Sequence, residues 1–205
     1  MRVLITSGAY PPMVGGSAYY AYNVEHALKN QGHNVEVAYF TIEHSLPTGL
    51  RHLVFFFKVL PKVFKAEKII ILDTFSSGLP TTLAAKLFRK KTILRVGGDF
   101  LWEQYVERTG NEVPLPEFYA NKPKCSLKEK ILFRIIAYIY KKTDTLIFNT
   151  RWQRDISLKP YNLEGKNITV ITNVAQKQEL QNPPEKKIFF AAQRNIKLKN
   201  RKRLE

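Results

Sequence analysis

Short, mainly apolar runs recur along this chain, and segments of helical spacing separate them. Residues 2–7, 35–40, 68–72, 92–96, 145–148 and 168–171 read as strands with little polar alternation. A strand without a polar face must be covered on both sides, which favours a parallel sheet between helices. The alternation predicts an α/β fold with one doubly wound sheet, whose ligands sit beyond the carboxyl ends of the strands. The intervening helices are read from Ser17 as N-cap, through Ala21, Val24, Ala27 and Leu28 to Gly32; over 50–66, interrupted at Pro61; near 81–89; and over 128–142. Residues 100–125 read as less regular. The Gln-, Asn- and Pro-rich stretch 175–186 reads as a linker, followed by a strand over 187–192 and a basic tail.

Composition narrows the function classes. The chain has 205 residues, with 33 Lys+Arg against 17 Asp+Glu, a formal charge of +16. That field attracts anions: nucleic acid, acidic lipid headgroups or phosphorylated substrates. Cys125 is the sole cysteine, which excludes an internal disulfide and a cysteine metal cluster and fits a reducing cytosol. The four histidines form no metal pair, so no metal is expected. No run of about 18 apolar residues reads as a membrane span. The charge suits a nucleic-acid-binding protein, but no helix-turn-helix, RRM, KH or zinc signature accompanies it.

Two glycine pairs mark candidate sites. After the first strand come Tyr10-Pro11-Pro12 and Gly15-Gly16, then a helix. Bare backbone and a helix N-terminus suit an approaching phosphate, though the glycines also suit a plain tight turn. After the strand ending at Val96 come Gly97-Gly98-Asp99, then Trp102-Glu103. Asp99 in the cleft would orient a substrate hydroxyl or take its proton; it equally reads as the N-cap of a helix over 100–108. Trp102 reads more readily as a packing residue than as a platform for a ligand. Parallel strands share one carboxyl edge, so both glycine pairs should face one cleft.

The opening, with Tyr10-Pro11-Pro12, Gly15-Gly16 and then Gly32-His33 before the second strand, resembles that of family 4 glycosyltransferases of the GT-B fold. Asp144 to Thr150 resembles the family's segment of aspartate, apolar strand and serine or threonine. Residues 168–174 resemble the strand and Asn-Gly that end its N-terminal domain, with Val174 in place of the glycine. Residues 189–194 with Lys199-Asn200 resemble the strand, Gly-Arg and lysine that open the C-terminal domain, with Gln193 in place of the glycine.

The resemblance implies one Rossmann-like half of a GT-B fold over 1–174, the acceptor-side domain, then a linker and the incomplete start of a donor-binding domain over 187–205. The implied activity is retaining transfer of a sugar from a nucleotide-diphosphate sugar to a glycan or lipid-linked acceptor. The chain alone is expected to have little or no activity, because the family's Glu-x-x-x-x-x-x-x-Glu region is absent. Asp99 is the implied catalytic residue. Gly15, Gly16, Arg194 and Lys199 would bind the donor diphosphate; Tyr10, Gly98, Trp102 and Glu103 would line the cleft or meet the acceptor. The nucleotide sugar is a co-substrate; no cofactor and no metal are implied. A GT-B-like sugar-nucleotide epimerase is the further alternative within this fold; the absent G-x-G-x-x-G counts against a dinucleotide enzyme. Basic and aromatic residues mix over 50–66 (Arg51, Lys58, Lys62 and Lys65 among Phe55, Phe56, Phe57 and Phe64). That mixture suits either packing on the sheet or a peripheral place on the anionic inner face of the cell membrane. Over 128–142, apolar nearly all round, packing on the sheet is expected.

Overall fold

The computed structural model describes residues 1–173 apart from Lys122. The expected linker, the strand at 187–192, Arg194 and Lys199 lie outside the described residues. The elements run in the order β1 (Arg2–Ser7), α1 (Gly16–Asn30), β2 (Asn34–Tyr39), α2 (Thr48–Lys65), β3 (Lys68–Ile71), α3 (Gly78–Leu87) and β4 (Thr92–Val96). They continue with α4 (Phe100–Thr109), α5 (Leu115–Asn121), α6 (Leu127–Lys142), β5 (Thr145–Phe148), α7 (Arg151–Tyr161) and β6 (Asn167–Val170). All pairings are parallel, in the order β2-β1-β3-β4-β5-β6. The fold is the Rossmann-like α/β sheet expected from the alternation of elements.

Successive strand residues point to opposite faces, and each face has its own core. Leu4, Ile69, Ile71, Leu94, Val96, Leu146 and Phe148 face the larger core. Phe55, Val59 and Val63 of α2, Ala84 and Ala85 of α3, and Leu132, Ile136 and Ile139 of α6 meet them there. Each such aliphatic or aromatic side chain contributes about 1.5–3 kcal/mol when fully buried. Val3, Ile5, Val35 and Leu72 point the other way, against Ala21, Val24 and Leu28 of α1. Right-handed crossovers explain the split. The chain steps in one direction only from β1 to β2, and every later step runs the opposite way. Among the described residues α1 therefore covers one face of β2, β1 and β3.

Several boundaries differ from the sequence reading, each for a local reason. Ser17 does not cap α1: Gly15 is the N-cap and Ser17 lies in the first turn. Pro61 does not break α2, which continues to Lys65. The helix keeps its line because its inner face, Phe55, Val59 and Val63, is wholly buried on both sides of the proline. His52 lies on that inner face. Residues 100–125 hold two helices, and α7 was not foreseen. Thr150 starts α7 by accepting the Gln153 N–H at 3.1 Å, and Asn162, left-handed at φ 51°, ends it.

Candidate functional site

The strand order reverses between β1 and β3, so the crevice of this sheet opens there, beyond the carboxyl ends. Asp73, just past β3, ties the two sides of the reversal together. It accepts the Gly8 N–H at 2.7 Å, the Ser77 N–H at 2.9 Å and the Ser77 hydroxyl at 2.6 Å. Burial pushes its carboxyl above the usual range, against the lowering effect of these donors. A Cβ on Gly8 would stand 3.2 Å from Ser76 Cβ and 3.3 Å from Asp73 Oδ2, so the chain passes here only as glycine or with some give. Asp73 was not among the residues singled out in the sequence. It lies in a polar stretch after β3 that carries no glycine pair, and only the strand order shows what it joins.

From this anchor the loop crosses to Gly15 and Gly16 and enters α1. Gly15 has φ 151° and ψ 158°, a region essentially reserved for glycine. A Cβ on either glycine would meet nothing within 4 Å. No side chain caps α1 and no acidic residue lies in its first turn. With no side-chain cap and no first-turn acid, the N-terminus of α1 is a positive dipole end suited to an anion.

Arg95, the penultimate residue of β4, supplies a cation to the same crevice. Its guanidinium carbon sits 3.7 Å from the centroid of the Tyr20 ring on α1, and its Nη2 donates to Asn173 Oδ1 at 2.9 Å. The residue is 9% exposed, and its Nε has no hydrogen-bond partner. Burial lowers its pKa, yet a guanidinium stays charged throughout the physiological range. Stacked on α1, the guanidinium is a fixed cation at this edge. Arg95 also accounts for Gly97, where a Cβ would fall 2.7 Å from Arg95 Nη1. Asn149, after β5, donates to the Gly97 carbonyl at 3.1 Å and holds the reversal from the other side.

Gly98 and Asp99 share the carboxyl edge with Gly15 and Gly16, as the parallel strands require. The Asp99 carboxylate, however, turns inward rather than into the cleft. It is 8% exposed, accepts the Trp102 N–H at 2.9 Å as N-cap of α4, and accepts the Tyr119 hydroxyl at 2.6 Å. Tyr119 lies 2.8 Å from the Tyr161 hydroxyl, which extends the buried chain of hydroxyls. Burial raises the Asp99 pKa, and burial together with this carboxylate pushes Tyr119 far above its ordinary range. Tyr119 and Leu101 line a cavity of about 1000 Å³ with Phe118, Phe133 and Ile156, so Asp99 backs onto the helical layer.

The remaining cleft residues are placed as follows. Trp102 is half-buried and donates its indole N–H to the Val113 carbonyl at 2.7 Å, a packing role. The Glu103 carboxylate lies against Gly98, whose Cβ would meet its Oε1 at 2.8 Å. Tyr10 stacks on Tyr39 with centroids 4.9 Å apart and donates to Glu25 of α1, which draws it toward the β2 side. Among the described residues no group of three His, Cys, Asp or Glu side chains could hold a metal ion.

The two strand segments that carry the resemblance fasten the sheet. Asp144 accepts the Thr92 N–H at 2.8 Å where β4 and β5 begin. Thr150 caps α7, and Asn173 steadies Arg95. A comparison with curated proteins finds no match. The family model of Glycosyltransferase Family 4 matches residues 14–175, most of the chain and nearly the whole described sheet. The chain belongs to glycosyltransferase family 4, and its domain is that of a glycosyltransferase.

Proposed function

We propose that this domain is the acceptor-side half of a retaining glycosyltransferase that takes its sugar from a nucleotide-diphosphate sugar and passes it to a glycan or lipid-linked acceptor. The observation that carries the reading is Arg95, a largely buried guanidinium stacked on Tyr20 of α1, the helix whose N-terminus has no side-chain cap and no acidic residue in its first turn. As the bond from the anomeric carbon to the diphosphate breaks, negative charge grows on the leaving oxygen. A cation and backbone N–H groups already in place stabilise that charge without reorganising at the moment of reaction. Gly15 and Gly16 keep the approach to those N–H groups free of side chains. Arg194 and Lys199 would add two further cations to the same diphosphate. Asp99 is a positioning residue: by capping α4 and binding Tyr119 it fixes the reversal that carries Gly97 and Gly98.

Isothermal titration of the chain with UDP-glucose and GDP-mannose tests this reading. Weak binding is expected, reduced at least about tenfold by Gly16→Val and by Arg95→Met, with thermal unfolding little changed. Binding of a nucleotide sugar that both variants leave intact would place the diphosphate elsewhere and overturn the proposal.

A further inference from the structure

Helices α4, α5, α6 and α7 leave a ligand-sized space between them. Leu101 of α4, Phe118 and Tyr119 of α5, Phe133 of α6 and Ile156 of α7 line this cavity of about 1000 Å³. Well-packed interiors hold few voids larger than a water molecule, so an apolar space of this size suits a small-molecule ligand. Gly15, Gly16, Arg95, Gly97 and Gly98 do not line it, so it is separate from the crevice described above. Its inside offers a polar ligand little to bond. The Tyr119 hydroxyl is already shared between Asp99 and Tyr161, at 2.6 and 2.8 Å. Glu129, the one acid among the described lining residues, is held by Arg108 at 2.7 and 2.9 Å and by the Ser126 N–H at 2.6 Å. A sugar, a nucleotide or a peptide backbone would enter with polar groups unsatisfied, whereas an aliphatic chain would not.

Charge at the border of the cavity completes the description of its ligand. Lys130 and Arg134, one turn apart on α6, and Lys159 on α7 border the same space, and all three are exposed. Among the described residues no salt bridge engages any of them. Like charges one turn apart on a helix repel each other, and an anion seated between them removes that repulsion. The stretch beyond residue 173 is itself rich in Lys and Arg, a poor match for a cationic border.

We propose that this cavity binds a single-chain amphiphilic anion. Its aliphatic chain lies against Leu101, Phe118, Phe133 and Ile156, and its carboxylate or phosphate monoester head meets Lys130, Arg134 and Lys159. The inference is independent of the sugar-transfer reading, because no residue of the crevice takes part in it.

Isothermal titration of the chain with laurate and with farnesyl phosphate, each below its micelle concentration, tests it. Dodecanol and acetate supply the tail and the head alone. One equivalent of at least one amphiphilic anion is expected to bind, at least about tenfold more tightly than dodecanol or acetate. Tighter laurate binding would assign the head as a carboxylate, and tighter farnesyl phosphate binding as a phosphate monoester. The double variant Arg134→Gln, Lys159→Gln should weaken binding at least about tenfold. Both side chains are exposed, so its thermal unfolding should match the parent. Cys125 lines the cavity, is half-buried and is the sole cysteine of the chain, so its alkylation by uncharged N-ethylmaleimide reports occupancy locally. Bound anion should slow that alkylation. Three results would overturn the inference. They are no saturable binding of either anion, binding of dodecanol as tight as that of the anions, and anion binding that leaves both Cys125 alkylation and the affinity of the double variant unchanged.

Discussion

The neighbouring glycines at the entrance to α1 should respond to alanine with opposite signs. Gly15 holds φ 151° and ψ 158°, and a side chain there strains the backbone even though its Cβ would touch nothing. The cost of forcing an L-residue into that region is about 1–3 kcal/mol. Gly16 is the first residue of the helix, has ordinary helical backbone, and would also carry its Cβ into open space. There, alanine removes conformations from the unfolded chain and stabilises the fold by about 0.4–1 kcal/mol. For a chain of this size 1 kcal/mol corresponds to roughly 2–4 °C in Tm. Gly15→Ala should therefore melt about 2–12 °C below the parent, and Gly16→Ala about 1–4 °C above it. Differential scanning calorimetry of the two variants side by side is the assay. Equal shifts of the same sign, or a larger loss at Gly16, would refute the backbone argument. The contrast also separates fold from function: Gly16→Ala should be more stable and yet bind a diphosphate less well.

Three further outcomes follow from the contacts described. Asp73→Ala strands the Gly8 and Ser77 donors and should cost about 2–4 kcal/mol in urea unfolding, with Asp73→Asn losing less; a midpoint unchanged by alanine would show that the strand reversal is held otherwise. Burial tends to raise the Glu129 pKa, but Arg108 and the Ser126 N–H bring it below its ordinary value. Its stabilising effect is therefore complete above about pH 4.5 and lost as the pH falls through the lower folded value, so Glu129→Gln should flatten the acid limb of stability measured from pH 7 to 3. Arg95→Met should unfold at or above the parent temperature while losing affinity for pyrophosphate, because the buried guanidinium leaves Nε unpaired; a large drop in Tm would make Arg95 a structural cation.

The strands were legible because burial on both faces leaves an unbroken apolar run, and all six fall within a residue of their expected bounds. The helices α5 and α7 were not. The first is only seven residues long, with Pro114 just before it and Pro116 in its first turn. The second is rich in Arg, Gln, Asp and Lys, and its inward face is Gln153, Ser157 and Tyr161 rather than an aliphatic stripe. Proline misled at position 61 because the penalty for a helix-interior proline was outweighed by core packing on both sides of it. At the site, glycines were visible by type, but what fills the space they leave was not. Arg95 and Glu103 occupy the room beside Gly97 and Gly98, a fact of side-chain direction rather than of sequence. Asp99 was visible as either a cleft carboxylate or a cap, and the hydroxyl that turns it inward comes from Tyr119, in a stretch with no helical signal.

The strand order also sets how this sheet can be built during synthesis. Among the described strands β1 alone has two partners that both come later in the chain, β2 and then β3, whose pairing joins Val3 to Lys68. From β3 onward each new strand adds beside the one made just before it. A chain emerging N-terminus first can therefore lay down residues 1–71 as a three-stranded nucleus and extend it in one direction, one strand at a time. At every stage the newest strand is the growing edge, while β2 stays at the opposite edge with Glu36 and Lys62 paired across its exposed side. Such accretion keeps each strand pairing close to the moment its sequence leaves the ribosome, and it confines the interval of open, pairing-competent backbone to the time taken to synthesise one strand–helix unit.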